Sequence, residues 1–137
     1  MNDPIDVRRA AGRTGGALAG MSSALLAGFA DALSANRNGG NGPDALKGTA
    51  RADTLTGRGG NDRLYGGPCN DKLNGGPGND RLVGGPGADR FSGGAGNDTI
   101  YAKDGSVDAI NCGPGKDVTY VDPGDDTRGC ETILFVS

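Results

Sequence analysis

Aspartate recurs every nine residues through the middle of the chain, and its carboxylate is the group in this sequence best placed to do chemistry. Of the 17 acidic residues, all but Glu131 are Asp. A solvated helical surface would use Glu freely, because Glu is the better helix former. The near-total choice of Asp therefore indicates turns, in which short side chains bond to the backbone, or oxygen ligands on a short stem.

Seven consecutive nonapeptides share one register without a gap. They are GGNGPDALK (39–47), GTARADTLT (48–56), GRGGNDRLY (57–65), GGPCNDKLN (66–74), GGPGNDRLV (75–83), GGPGADRFS (84–92) and GGAGNDTIY (93–101). The sixth position is always Asp: Asp44, Asp53, Asp62, Asp71, Asp80, Asp89 and Asp98. The eighth is always large and apolar: Leu46, Leu55, Leu64, Leu73, Leu82, Phe91 and Ile100. After one extra residue the period continues more loosely, with Asp108, Asp117 and Asp126.

Composition excludes several classes of protein. The 28 glycines, three Phe, three Tyr and no Trp leave too little apolar bulk for an ordinary globular core. Collagen is excluded because it needs Gly at every third residue, whereas the period here is nine. The absence of His excludes His-based zinc chemistry and His-dependent catalytic triads. The net charge of −3 is too small to indicate any partner.

The nonapeptides resemble the RTX (hemolysin-type) calcium-binding repeat, G-G-x-G-x-D-x-U-x, where U is apolar. The departures are local: the unit at 48–56 keeps only its first Gly, and Cys69 replaces a fourth-position Gly. The resemblance implies an all-β fold, a right-handed parallel β-roll, which is a form of β-helix or solenoid. Six residues of each unit turn sharply, and three, such as Arg81–Val83, form a short strand whose middle residue points inward.

In the RTX fold two nonapeptides make one coil, so every second unit stacks about 4.8 Å from its neighbour. Two Asp columns follow from this arrangement, and their like charges would repel strongly without a cation between them. The resemblance implies several Ca²⁺ ions, because Ca²⁺ takes six to eight oxygens from carboxylates and carbonyls. The carboxylate ligands expected are Asp44, Asp53, Asp62, Asp71, Asp80, Asp89, Asp98, Asp108 and Asp117. The glycine turns expected to supply carbonyls contain Gly57, Gly59, Gly66, Gly75, Gly76, Gly78, Gly84, Gly85, Gly87, Gly93, Gly94 and Gly96. A single Asp-rich turn is usually only an Asx turn, but seven in register favour the metal.

One inward apolar side chain per nine residues stabilises too little to offset the entropy of ordering the chain. We therefore expect a largely disordered metal-free chain and a rigid calcium-bound roll. Extracellular calcium modules bind at about 10⁻⁴–10⁻³ M, so such a chain would stay unfolded in the cytosol and fold outside the cell. This is the logic attributed to RTX secretion, and it predicts a secreted, extracellular protein.

The regular roll is expected over residues 36–101, and degenerate repeats over 102–137 are expected to close its C-terminal end. Cys112 and Cys130 lie two repeat lengths apart, at the first positions of their units. If two units make one coil, these residues would stack within the range that a disulfide needs, which would imply an oxidising compartment. Cys69 remains as a neutral replacement of Gly on a tight turn or as a free thiol open to dimerisation.

Seventh-position residues are expected to point away from the core, among them Arg63, Lys72, Arg81 and Arg90. In the first interpretation these charges keep an exposed sheet soluble and prevent association. In the alternative, they form a basic ladder that binds an anionic polysaccharide or a cell surface, with calcium only stabilising the roll. Calcium ions are the expected partners, with a polysaccharide or another protein as further candidates. Neither nucleic acid nor a membrane span is expected.

Residues 1–35 combine a basic start with a run of small and apolar residues, which predicts a secretory signal peptide. The alternative is an amphipathic helix that covers the open first coil, because Leu18, Met21, Leu25, Phe29 and Leu33 recur at helical spacing. A third export route is a C-terminal signal in ETILFVS (131–137). RTX enzymes carry separate catalytic domains, which the residues before the roll do not accommodate, and no nucleophile–base pair is evident. No enzymatic activity is expected.

Overall fold

A computed structural model describes residues 35–135, so the predicted signal peptide or helix lies outside the described residues except for Ala35. Within that range the regular elements are all strands, and twelve of them follow one another along the chain. The first six are β1 (Asn36–Asn38), β2 (Ala45–Lys47), β3 (Thr54–Thr56), β4 (Arg63–Tyr65), β5 (Lys72–Asn74) and β6 (Arg81–Val83). The last six are β7 (Arg90–Ser92), β8 (Thr99–Tyr101), β9 (Ala109–Asn111), β10 (Val118–Val121), β11 (Asp126–Arg128) and β12 (Thr132–Phe135).

The strands form a parallel solenoid of two six-stranded sheets, which confirms the predicted β-roll architecture. Odd-numbered strands form one sheet in the order β1-β3-β5-β7-β9-β11, and even-numbered strands form the other in the order β12-β10-β8-β6-β4-β2. All pairings are parallel, and in the regular part each residue pairs with its equivalent two units further on, as Leu64 does with Leu82. Two nonapeptides therefore make one coil, and units n and n+2 stack.

The core is a single file of side chains between the two sheets. The middle residue of every strand from β3 to β9 is buried, and these residues are Leu55, Leu64, Leu73, Leu82, Phe91, Ile100 and Ile110. Their neighbours in the strand point outward, because successive side chains alternate across a strand. At the N-terminal end Leu46 is only partly buried, and the residue paired with Leu55 is Arg37.

The register changes near the C-terminal end. Pairs that cross the extra residue after Tyr101 are one position further apart in sequence, as Phe91 and Ile110 are. The following coils are shorter, since Ile110 pairs with Thr127 and Thr119 with Ile133. Thr119 occupies an inward position where the repeat would place an apolar residue, and its hydroxyl lies 3.1 Å from Cys112 Sγ.

A disulfide joins Cys112 to Cys130 in this irregular part, with their Cα atoms 5.1 Å apart. The backbone supports the same contact, since the Cys112 N–H donates a 2.9 Å hydrogen bond to the Arg128 carbonyl. The last coils, in which the repeat is weakest, are thus closed covalently.

Candidate metal centre

Every sixth-position Asp stands immediately before a strand, at the point where a glycine turn enters the sheet. Asp62 precedes β4 and Asp80 precedes β6, for example. Alternate strands belong to opposite sheets, so the aspartates fall into two columns, one at each edge of the roll. From Asp53 to Asp117 these residues are at most 3% exposed, although the residues before and after them are at least partly accessible. The strand geometry thus buries a row of carboxylates on both edges.

One oxygen of each carboxylate belongs to a ladder of hydrogen bonds along the column. The Asp62 N–H donates to Asp80 Oδ1 at 2.8 Å, and the Asp80 N–H donates to Asp98 Oδ1 at the same distance. The other column repeats the pattern, with the Asp71 N–H donating to Asp89 Oδ1 at 2.7 Å. Oδ1 is therefore satisfied by the preceding coil, and this bond holds the carboxylate in one orientation.

The second oxygen has no partner among the described residues. All eight buried side-chain atoms that lack a hydrogen bond there are carboxylate Oδ2 atoms, of Asp62, Asp71, Asp80, Asp89, Asp98, Asp104, Asp108 and Asp117. A buried oxygen without a donor costs free energy, and a buried unpaired charge costs much more. Such a row of hard oxygens fits the donor set that Ca²⁺ prefers.

First-position glycines leave room for these oxygens. A Cβ on Gly57 would lie less than 3.0 Å from both Asp62 Oδ2 and the Gly75 carbonyl oxygen of the next coil. Gly66 and Gly75 stand in the same relation to Asp71 and Asp80. The glycine therefore allows a carboxylate and a main-chain carbonyl to approach the same small space. Among the predicted turn residues, Gly59 differs, since a Cβ there would meet its neighbours at ordinary contact distance.

Burial changes the protonation of the columns. Desolvation raises the pKa of Asp71 and Asp80 to about 6, and the charge of the neighbouring aspartate adds to the effect. The pKa values of Asp89, Asp98 and Asp108 rise to about 7 for the same reasons. At about pH 6 to 7 these carboxyls therefore titrate, and a bound cation would compete with the proton for the carboxylate.

The first two aspartates are different, because their own turns supply donors. Asp44 Oδ2 accepts a 2.7 Å hydrogen bond from the Gly40 N–H. Asp53 Oδ2 accepts one of 2.6 Å from the Thr49 N–H, and the Thr49 hydroxyl lies 2.8 Å from Asp53 Oδ1. The structure places both residues in the predicted columns but gives their carboxylates protein partners.

The irregular part contains a cluster that includes acids missed by the sequence pattern. One carboxylate oxygen each from Asp89, Asp104 and Asp108 lies within 4.8 Å of the others. Asp122 Oδ2 accepts the N–H groups of Asp104 and Gly105 at 2.7 and 2.6 Å. Asp104 and Asp122 carry no nonapeptide signal, because they lie away from the sixth position.

Asp125, and not Asp126 as the period suggested, follows Asp108 in its column. The Asp108 N–H donates to Asp125 Oδ1 at 2.9 Å, so Asp125 continues the column. Asp126, which the period had suggested, instead lies exposed on β11 and forms a surface ion pair of 3.4 Å with Arg128. The reason is the shorter coil, which moves the column one residue earlier.

A second ladder, of asparagines, was also missed. The Asn79 N–H donates to Asn61 Oδ1 and the Asn97 N–H to Asn79 Oδ1, both at 2.8 Å. These fifth-position residues stack the turns at the exposed side of the Asp columns. Their recurrence as Asn61, Asn70, Asn79 and Asn97 is visible in the sequence and could have indicated the ladder.

Comparison with known families agrees with this geometry. The RTX calcium-binding nonapeptide repeat matches in four copies over residues 38–73 and 74–106, which is half of the chain. The chain belongs to this family, whose repeats bind calcium. No curated protein matches the chain significantly. No helix within residues 35–135 is long and apolar enough to cross a membrane.

Proposed function

We propose that this chain is a secreted calcium-binding protein whose roll folds when Ca²⁺ ions enter between the coils. The observation that carries the proposal is the set of eight buried Oδ2 atoms without a donor. They recur in every unit from Asp62 to Asp117, which a chance defect in packing would not do. Each of these oxygens lacks a partner, and a bound cation would be that partner.

The residues that would hold the ions are the column aspartates and the carbonyls of the glycine turns. Oδ1 is already oriented by the N–H of the preceding coil, so Oδ2 is free for the metal. A bound Ca²⁺ would neutralise stacked carboxylates that otherwise repel one another. Because the columns exist only in the coiled chain, the free energy of calcium binding becomes free energy of folding.

Circular dichroism of the full chain during a calcium titration tests this proposal, with magnesium as the control. The expected result is a cooperative transition from coil to β structure near millimolar Ca²⁺, about 10⁻⁴–10⁻³ M. Mg²⁺ should not produce it, because Mg²⁺ requires a near-octahedral shell and gives up its water reluctantly. A spectrum already rich in β structure in chelator would contradict calcium-dependent folding.

Secretion is supported by the bond between Cys112 and Cys130, because disulfides persist in oxidising compartments. The weak calcium affinity expected of such a module also suits the extracellular medium better than the cytosol. The native host's culture medium and cell lysate should be compared by immunoblot and thiol labelling. We expect the protein in the medium with only Cys69 reactive, and a protein confined to the lysate with three reactive thiols would contradict secretion.

A second candidate function is adhesion to an anionic polysaccharide, and the outer face of the even-numbered strands favours it. Arg63 and Arg81 stack there beside Tyr65, and the lining residues of an open groove of about 460 Å³ include no acid. The Arg81 guanidinium lies 4.9 Å from the centre of the Tyr101 ring, which holds it against the sheet. The remaining pair, Lys72 and Arg90, stacks on the opposite sheet.

Charge reversal of these four cations tests adhesion in the presence of saturating calcium. Binding to immobilised anionic polysaccharide should be lost when Arg63, Arg81, Lys72 and Arg90 are all changed to Glu. The matched control changes Lys103 and Lys116, which are exposed on the turns, to Glu. Retention that survives the fourfold reversal would contradict the adhesion function.

A further inference from the structure

The irregular unit after Tyr101 brings a third carboxylate to one gap between coils. Asp89 and Asp108 are the regular column residues on either side of this gap, and Asp104 joins them. One oxygen of each lies within 4.8 Å of the other two, and this is the one such group of three within residues 35–135. Asp104 stands four residues before Asp108, at the second position of its unit, and in the seven regular units that position holds Gly, Thr or Arg.

The three carboxylates lack the partners that would make the cluster a purely structural network. The Oδ2 atoms of Asp89, Asp104 and Asp108 are all buried without a hydrogen bond. Asp89 and Asp108 are 2% and 1% exposed, so bulk water does not replace the missing donors. Two nearly fully buried, unpartnered carboxylates therefore face a third.

The protein also fixes the orientation of Asp104. Its Oδ1 accepts the Ser106 N–H at 2.7 Å, which leaves Oδ2 free. Its own N–H and that of Gly105 donate to Asp122 Oδ2. Asp122 is held in turn, because its N–H donates to Asp125 Oδ2 at 2.8 Å. The third carboxylate is thus positioned by a chain of hydrogen bonds before any ligand enters.

We propose that Asp89, Asp104 and Asp108 form the calcium site of highest affinity among residues 35–135, and that it fills first. The proposal rests on the proposed calcium-binding function and extends it to an order of filling. Calcium affinity rises with the number of charged ligands and with the rigidity of the site. This gap offers three carboxylates, whereas the column alone supplies two.

Calorimetric titration of the full chain with Ca²⁺ tests the site. Asp104→Asn should weaken the tightest binding step by about tenfold, because it removes one charged ligand. The matched control is Asp126→Asn, which removes an exposed carboxylate from the same end of the roll and should leave that step unchanged. An unchanged first step in Asp104→Asn would overturn the proposal. Absence of calcium binding by the unsubstituted chain would instead overturn the proposed function itself.

A pair of variants at Asp122 keeps the test decisive if Asp104→Asn does not acquire β structure at any calcium concentration. Asp122→Ala removes the acceptor that positions Asp104, whereas Asp122→Asn retains an oxygen for the same two N–H groups. We expect the first step to weaken in Asp122→Ala and to recover in Asp122→Asn. Equal first-step affinities in Asp122→Ala and the unsubstituted chain would overturn the proposal.

Discussion

The first coil and the coils that follow it contain the same aspartate at the same position, yet they treat its carboxylate differently. In the first coil Asp44 and Asp53 receive donors from Gly40 and Thr49 of their own turns. From Asp62 to Asp117 the column Oδ2 atoms receive none. The presence of the nonapeptide repeat therefore does not by itself show that its carboxylate lacks a donor from the protein.

The difference originates in the second residue of the turn. In the central units this residue has a positive φ, near 90° for Gly67, Gly76, Gly85 and Gly94. Thr49 and Gly40 are not among the residues with positive φ. Thr49 resists positive φ because it is β-branched, and its N–H is directed to the Asp53 carboxylate instead. Glycine has no such resistance, so residue type accounts for the turn at Asp53, whereas at Asp44 only the observed conformation of Gly40 does. The turn N–H then satisfies the carboxylate oxygen, which in the central units has no donor and would be satisfied by a cation.

The largest effect is expected when the carboxylate charge is removed from the later coils, and the same change in the first coil tests whether the two regions differ. Asp80→Asn keeps an oxygen for the Asp62 N–H but removes the charge from an unpartnered carboxyl, so the calcium needed for folding should rise on the order of tenfold. Asp53→Asn should leave the number of bound ions unchanged and lower the free energy of unfolding in saturating calcium by about 1–2 kcal/mol, through lost hydrogen bonds. Calorimetry and urea unfolding measure the two quantities. Equal losses of bound calcium in both variants would contradict the distinction.

Proton and calcium should compete for the central carboxylates. Burial raises the pKa of Asp71 and Asp80 to about 6, and of Asp89 and Asp98 to about 7. Between about pH 4 and pH 7 the folded, metal-free chain therefore binds more protons than the unfolded chain, and its free energy of unfolding falls as pH rises.

Calcium-stripped protein should consequently show more β structure by circular dichroism at about pH 5 than at about pH 8. Its apparent calcium affinity should change in the opposite direction, because the deprotonated carboxylates bind the metal. A β signal independent of pH in the absence of metal would mean that the central carboxylates have donors after all.

Asp53 should become a calcium ligand when the donors of Thr49 no longer reach its carboxylate. Thr49→Gly restores the residue that the central units have at this position, so the turn can adopt positive φ and Asp53 loses two partners. We expect one additional bound Ca²⁺ and a loss of about 1–2 kcal/mol in the free energy of unfolding at low calcium. Thr49→Val is the matched control, because it removes the hydroxyl but retains the N–H and the β-branched shape. No additional ion in Thr49→Gly would show that the turn conformation does not decide the difference.

The smallest effect is expected at Cys69, where the backbone rather than a carboxylate departs from the repeat. Cys69 has φ 78° at the position where Gly78, Gly87 and Gly96 have φ between 116° and 121°. Replacing it with Gly should raise the free energy of unfolding in calcium by about 1 kcal/mol, because L residues are strained in this region. The number of bound ions should not change. Cys69→Ala separates strain from thiol chemistry, and an equal gain in that variant would assign the effect to the thiol.

Sequence reasoning predicted the architecture well because a fixed period leaves few arrangements open. Asp and an apolar residue two positions later, repeated in every nonapeptide, set the turn, the strand and the inward side chain of every regular unit. The register of two units per coil follows from the family resemblance, and the pairing of Leu64 with Leu82 confirms it. Prediction was weakest where the period ends, since one inserted residue lengthens the coil there and the coils after it are shorter.

The sequence by itself therefore determined the repeat and its inward apolar positions, and together with the family resemblance it predicted the two sheets and the two aspartate columns. Only the tertiary structure decided which carboxylates remain without donors, since this depends on the path of each turn and on the coil stacked beside it. It also decided that Asp125 rather than Asp126 continues the column, and that Asp104 joins Asp89 and Asp108. The physical reason is that a period specifies which units stack on one another, whereas these contacts arise where coil length and turn conformation depart from it.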